Sequence, residues 1–257
     1  MRRFFVDSQL LQDDVLALPD EIVHHVRVLR LNSGDEILLL DGRGTCCHCR
    51  LQEVTRHEVR VEVVSRWQEA EDSFPVQILQ GLPKGDKIDL VLQKGTELGV
   101  SHFTPVIAGR SVPRGEAGRN DKRLERWQRI VQEAARQCRR PCLPQLDTPL
   151  NLSDAVHGCA APLRLMLWEK GAVPLAQRLP ADRPTSAAVL VGPEGGFSEA
   201  EADLALAAGF MPVSLGPRIL RTETAGIAVA SVLQYLYGDF GRDPLLLQRR
   251  SLSWEDS

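Results

Sequence analysis

Residues 186–209, SAAVLVGPEGGFSEAEADLALAAG, constrain the fold more than any other stretch of the chain. An apolar run of strand length ends on Gly192-Pro193-Glu194-Gly195-Gly196, and a helix signal follows at once. Ser198 with Glu201 three residues later reads as a capping box, so a helix is expected from near Glu199 to Gly209. A strand feeding straight into a helix is the repeating unit of an α/β domain, and the alternation extends from Pro75 onward. PVQILQGL, HFTPVIA, LRLMLWEK, SAAVLVG and MPVSLG are apolar strand runs. Between them, Ile88, Val91, Leu92 and Leu98 share one helix face, and Leu124, Trp127, Ile130, Val131, Ala134 and Cys138 share another. Strands apolar on both faces and joined by helices predict a largely parallel sheet.

The glycines then fall at the carboxyl end of a parallel strand, where open α/β sheets bind their ligands. A second stretch follows the same plan. VSLGPRILRTETAGIAVASVLQYLY gives a strand to Leu215, a Gly216-Pro217 turn, the polar residues Arg221-Thr222-Glu223-Thr224, and then a helix. That helix carries Ile227, Val229, Val232, Leu233, Tyr235 and Leu236 on several faces. It needs cover on more than one side, either from the rest of the chain or from a second subunit, and a homodimer is expected. Neither loop is GxGxxG or GxxxxGK, which weakens the dinucleotide and nucleoside-triphosphate readings.

Residues 1–72 read as a separate β-rich domain. DEILLLDGRGTCCHCRLQEV and HEVRVEVVSRW supply strands, and VRVEVV alternates with a period of two. In PDEIVHHVRVLRL, Ile22, Val23, Val26 and Leu29 line one face of a short helix. EAEDSF, residues 69–74, is polar and aperiodic and marks the boundary; the second domain runs over 73–240, and 241–257 is a polar tail. The CCHC run at 46–49 lacks a second ligand pair, and alternating residues of a strand cannot all face one ion, so no metal is expected. The amino terminus has no signal peptide and no apolar run is long enough to span a bilayer, which points to the cytoplasm. Six cysteines without paired spacing are expected as thiols.

Although the 257-residue chain has a formal charge of −3, residues 110–140 hold ten Lys/Arg against four acids. This block is either a surface for a polyanion or a solvated helix face.

KGDKIDLVLQKGTELGV, LVGPEGGFSEAE and LGPRILRTETA together closely resemble the RsmE family, bacterial enzymes that methylate N3 of a uridine in small-subunit (16S) ribosomal RNA. RRFFV and HHVRVLRLNSGDEILLLDGRG resemble that family's PUA-like RNA-binding β-barrel domain. The resemblance covers about residues 2–240. It implies a SPOUT-type α/β domain with a carboxyl-terminal trefoil knot in about 164–238, a homodimer, and S-adenosyl-L-methionine as cofactor. It also implies three cofactor loops: Leu167, Trp168 and Glu169; Gly192, Pro193, Glu194, Gly195 and Gly196; and Leu215, Gly216, Ile219, Leu220, Arg221 and Ala225. The chain departs from the family at ARQCRRP, where an acidic residue and a glycine are usual in place of Arg136 and Arg139, while Gln137 and Arg140 match.

Chemistry narrows the catalytic candidates. Uridine N3 attacks poorly while it carries its proton, so a base or a stabiliser of the anion is required. Arg221 stays protonated and suits the stabilising role; Glu223 and Glu194 are the candidate bases. For Glu223 the competing role is a helix-start acid, and for Glu194 it is hydrogen bonding within its loop. Candidate RNA contacts are Arg2, Arg3, His24, Arg27, Arg30 and Arg43 on the first domain, with Lys84, Lys94 and Arg140 on the second. One of His24 and His25 is expected to pack beneath the strands instead. A methyltransferase for another RNA position and a non-catalytic RNA-binding protein are the alternatives.

Overall fold

The computed structural model describes residues 1–71, 73–111 and 117–242. Arg114 and Glu116 of the basic block, and the tail from residue 243, lie outside these. The described chain gathers into two units, the first made of Met1–Glu71 with Val131–Leu143.

In the first unit, β1 (Arg2–Phe5), β2 (Val15–Ala17), β3 (Glu36–Leu40), β4 (Thr45–Val54) and β5 (Val59–Gln68) form one sheet in the order β1-β3-β4-β5-β2. The β1–β3 pair is parallel and the others antiparallel. Helix α1 (Asp20–Val28) buries Ile22, Val23 and Val26 in a core shared with Phe4, Ile37, Leu39 and Val61. Within β4, Cys47 and Cys49 enter this core, whereas Cys46 belongs to a separate cluster with Leu38 and Leu40. The four residues of the CCHC run therefore do not converge. Burial pushes the Cys46 and Cys49 thiols up to about 12, far from the reactive thiolate range.

Helix α3 (Ala117–Cys138) ends in this unit with a left-handed residue, Arg139, at φ 65°. The Arg140 amide donates to the Ala135 carbonyl at 3.0 Å, which is the bonding of a helix end that favours glycine at the left-handed position. The Arg139 carbonyl accepts from Arg3 Nη1 at 2.8 Å, a bond that glycine would keep. Arg139→Gly is expected to raise Tm by about 2–4 °C, since relief of left-handed strain outweighs the backbone entropy added. A differential scan showing an unchanged or lower Tm would contradict this.

The second unit is built on a parallel sheet of eight strands: β6 (Val76–Gly81), β7 (His102–Ile107), β8 (Gln145–Leu146), β9 (Leu150–Asn151), β10 (Leu163–Leu167), β11 (Val173–Pro174), β12 (Ala187–Val191) and β13 (Met211–Ser214). Their order is β11-β13-β10-β12-β6-β7-β8, with β9 also paired to β7, and every described pairing is parallel. All five residues of β12 are buried, as a central parallel strand requires. On one face, Leu79, Val106, Ala188 and Leu190 pack with α4 (Leu152–His157) and α5 (Glu199–Ala207). On the other lie α2 (Lys87–Glu97) and α6 (Thr222–Tyr237), which pack together. Gly226 brings α6 so close that a Cβ there would stand 3.2 Å from Val191 Cγ2.

The short pieces β8, β9, β11 and α4 carry too few residues for a period and had no sequence signal. Helix α6 starts at Thr222, so Thr222, Glu223 and Thr224 form its first turn and not a polar loop ahead of it. The cause is Arg221, which is extended (φ −66°, ψ 151°) while its carbonyl already accepts from Thr224 and Ala225. On α6, Val229, Ala230 and Leu233 are buried, while Val232, Tyr235 and Leu236 face outward. No helix among the described residues is long and apolar enough to cross a membrane.

Candidate active site

The segments after β10, β12 and β13, with the first turn of α6, close one cleft of about 870 Å³ at the carboxyl ends of the strands. Every residue of the three expected cofactor loops lines it: Leu167, Trp168 and Glu169; Gly192 to Gly196; and Leu215, Gly216, Ile219, Leu220, Arg221 and Ala225. Glu223 lines it too, with Lys170, Arg218 and Thr222 from the same loops, as do Lys87 and Arg110, which sequence reasoning did not assign to it.

The glycine loop is held from several directions. Gly196 sits at φ 64° and its amide closes a turn onto the Pro193 carbonyl at 2.8 Å, a conformation that suits glycine. Gly195 has a different reason. A Cβ there would stand 3.1 Å from Arg110 Cδ and 3.2 Å from Arg110 Cβ, and Arg110 Nη1 donates to the Gly195 carbonyl at 2.5 Å. The glycine makes room for a protein side chain.

Past the loop, both bonds of the capping box are formed, Glu201 N to Ser198 Oγ at 3.3 Å and Ser198 N to Glu201 Oε2 at 2.8 Å. The other oxygen of Glu201 accepts from the Gly109 amide at 2.6 Å. Burial raises the Glu201 pKa, but the bonds from Gly109 and Ser198 lower it by more, so the net shift is downward. A carboxylate held low adds stability above its unfolded value of about 4.3 and loses it as pH falls through the folded value. Glu201→Ala is accordingly expected to cost about 1–2 kcal/mol at pH 7. Its deficit against wild type should shrink below about pH 4, as read by denaturant titration; a deficit that ignores pH would contradict the assignment.

Glu194 is fixed in place. Its carboxylate accepts from the Lys84 amide at 3.1 and 3.2 Å and from Lys87 Nζ at 2.6 Å. Burial raises its pKa, yet the Lys87 bond and the backbone amides outweigh burial and hold it below the usual carboxylate range. That makes it a poor proton acceptor and a good staple for the loop.

Glu223 is the opposite case. It is 7% exposed, and its Oε2 is buried with no hydrogen-bond partner among the described residues. Arg221 extends into solvent with 84% of its side chain exposed, its Nη1 3.9 Å from Glu223 Oε1. The arrangement sets an unsatisfied acceptor and a largely free cation side by side in an apolar-walled cleft.

The RNA candidates are placed unevenly. In the first unit Arg2, His24, Arg27, Arg30 and Arg43 are exposed, and Arg3 is half-buried. His25 takes the packed position, stacked on Phe4. Arg140 is corrected: it is buried, with Nε and Nη2 bound to Glu71 at 2.5 and 2.7 Å, so it anchors that unit and does not meet a solvent-borne partner. In the second unit Lys84 is exposed, whereas Lys94 is half-buried and held by Glu97 at 2.8 Å.

Residues 70–234 match the family model of an RNA methyltransferase domain, and residues 18–64 match that of an RNA methyltransferase PUA domain. Together these define an RNA methyltransferase with an amino-terminal PUA domain. The chain is 33% identical over 254 residues to the ribosomal RNA small subunit methyltransferase E of Bacillus subtilis, covering 91% of this chain and 96% of that one. The protein of the same name from Synechocystis is 35% identical over 231 residues, or 88% and 74% of the two chains. Among solved structures, the Neisseria gonorrhoeae ribosomal RNA small subunit methyltransferase E bound to S-adenosyl methionine superposes with a TM-score of 0.84 at 35% identity, covering 93% and 99%. A putative methyltransferase from Legionella pneumophila in complex with the same cofactor gives 0.85 at 33% identity, covering 93% and 98%. The chain belongs to the ribosomal RNA small subunit methyltransferase E family.

Proposed function

We propose that the protein transfers a methyl group from S-adenosyl-L-methionine to N3 of one uridine in 16S ribosomal RNA, on the small ribosomal subunit in the cytoplasm. Its relatives are ribosomal RNA methyltransferases, and two of the similar structures hold this cofactor. The observation that carries the reading is the cleft itself, where Glu223 Oε2 is buried with no hydrogen-bond partner among the described residues, beside the exposed Arg221. The cleft fits the cofactor: about 870 Å³ suits a ligand of this size. Leu167, Leu215, Ile219 and Leu220 would wall the adenine, and the loop backbone would meet the ribose.

When bound, the cofactor supplies an electrophilic methyl group on a sulfonium. The chain's residues do the rest. Glu223 accepts the N3 proton, and Arg221 donates to a uracil carbonyl oxygen as negative charge spreads onto it. Glu194 stays with Lys84 and Lys87 and holds the loop. Because N3 lies on the pairing edge, the uridine is read unpaired or flipped from its stack.

Residues 1–72 serve as the RNA-binding domain, through Arg2, Arg3, His24, Arg27, Arg30 and Arg43, and 73–240 as the catalytic domain, which adds Lys84. The carboxyl-terminal segment within about 164–238 forms a trefoil knot. The outward Val232, Tyr235 and Leu236 of α6 are covered by a second copy of the chain, giving a homodimer. The cofactor reading is tested by titration calorimetry with S-adenosylmethionine: saturable binding supports it, and no binding at millimolar concentration overturns it.

A further inference from the structure

Beside the cleft, a chain of buried bonds links three elements that the reaction must keep aligned. Thr222, 8% exposed in the first turn of α6, has its Oγ1 2.5 Å from the Gly192 carbonyl oxygen and 2.8 Å from Gln80 Nε2. A carbonyl oxygen only accepts, so the single hydroxyl proton goes to Gly192, and the hydroxyl accepts from the Gln80 amide in turn. That order also fixes which way the Gln80 amide points. Gln80, 2% exposed, sits near the end of β6, and its Nε2 donates as well to the Gly81 carbonyl at 3.0 Å. Gly81 completes the fit, since a Cβ there would stand 2.6 Å from Pro193 Cδ.

The Gly192 carbonyl is thus engaged by the protein itself. The strand end at Gln80-Gly81, the glycine loop and the helix turn that bears Glu223 are tied at one point. Arg221 and Glu223 flank Thr222 on either side, so the bond that places the loop also places them.

We propose that Thr222 and Gln80 are positioning residues, which hold the glycine loop and the first turn of α6 in one register so that the methyl donor and the Arg221–Glu223 pair face the same nucleotide. The proposal rests on the cofactor reading of the cleft. Neither side chain needs to touch a reacting atom, because each acts through the groups it fixes.

The test compares Thr222→Val, which keeps the shape and removes the hydroxyl, with Thr222→Ser, which restores it. S-adenosylmethionine affinity, kcat, the KM for small ribosomal subunits and Tm are read for each. Thr222→Val is expected to weaken cofactor binding and to lower kcat, each by about tenfold, as losing one buried hydrogen bond would do. The KM for the subunit should move less than about twofold, and Thr222→Ser should return both affected values to within about threefold of wild type. Gln80→Leu should show the same split, and adding it to Thr222→Val should cost little more, because the two act as a unit. If Thr222→Val does not fold, Gln80→Leu carries the comparison alone. Cofactor affinity and kcat within twofold of wild type, alongside a lowered Tm, would reduce the bond chain to a structural one and overturn the proposal. A wild-type chain that binds no cofactor would overturn the reading of the cleft instead, and this inference with it.

Discussion

Replacing Arg221 by alanine lowers the turnover of methyl transfer by about 10²–10³-fold and leaves the fold close to wild type. The magnitude is that of removing one donor aimed at developing charge. The sparing of the fold follows from exposure: 84% of the side chain is open, and its ion contact with Glu223 is at 3.9 Å. Exposed pairs of that kind contribute little to stability. Arg221→Lys keeps the charge but not the planar fork of donors, and it recovers only part of the rate. Turnover within a few fold of wild type for Arg221→Ala would remove this residue from the chemistry.

Glu223→Gln separates activity from stability. It keeps the size of the side chain and takes away the acceptor for the N3 proton, which lowers turnover by about 10²–10⁴-fold. Stability moves the other way or not at all. The carboxylate is buried with one oxygen unpartnered among the described residues, and an amide without charge is less costly to leave there. The favourable position at the helix amino terminus offsets only part of that cost. An unchanged or higher Tm with strongly reduced turnover is therefore expected, the pattern of a residue kept for function at the expense of stability. Normal turnover with a Tm lowered by several degrees would mean that the carboxylate serves the fold.

The convergence of the three loops on one cleft was legible in the sequence because its signals are local. Each of the three loops follows an apolar strand, and strands of one parallel sheet bring their carboxyl ends to the same edge, so the residues converge without any knowledge of long-range contacts. Ser198 and Glu201 are likewise read correctly from three residues of spacing. What stayed hidden depends on partners far along the chain. Glu194 meets Lys84 and Lys87, and Arg140 meets Glu71, so neither residue's role can be read from its own neighbourhood. Gly195 carries no sign in its own neighbourhood that Arg110 packs against it. Thr222 resembles one more polar loop residue, and only the start of α6 reveals it as a buried bridge between Gln80 and Gly192. At Arg139 a single backbone angle, φ 65°, shows a position suited to glycine that the residue's own type does not announce.

The most direct test of the whole account is transfer of tritiated methyl from S-adenosylmethionine to purified small ribosomal subunits that lack native modification, with the labelled nucleoside identified by mass spectrometry. The account predicts label in N3-methyluridine at one site of the 16S RNA, absent with Arg221→Ala over the same time. Label in another nucleoside, or no label while the cofactor binds, would contradict the assigned substrate atom.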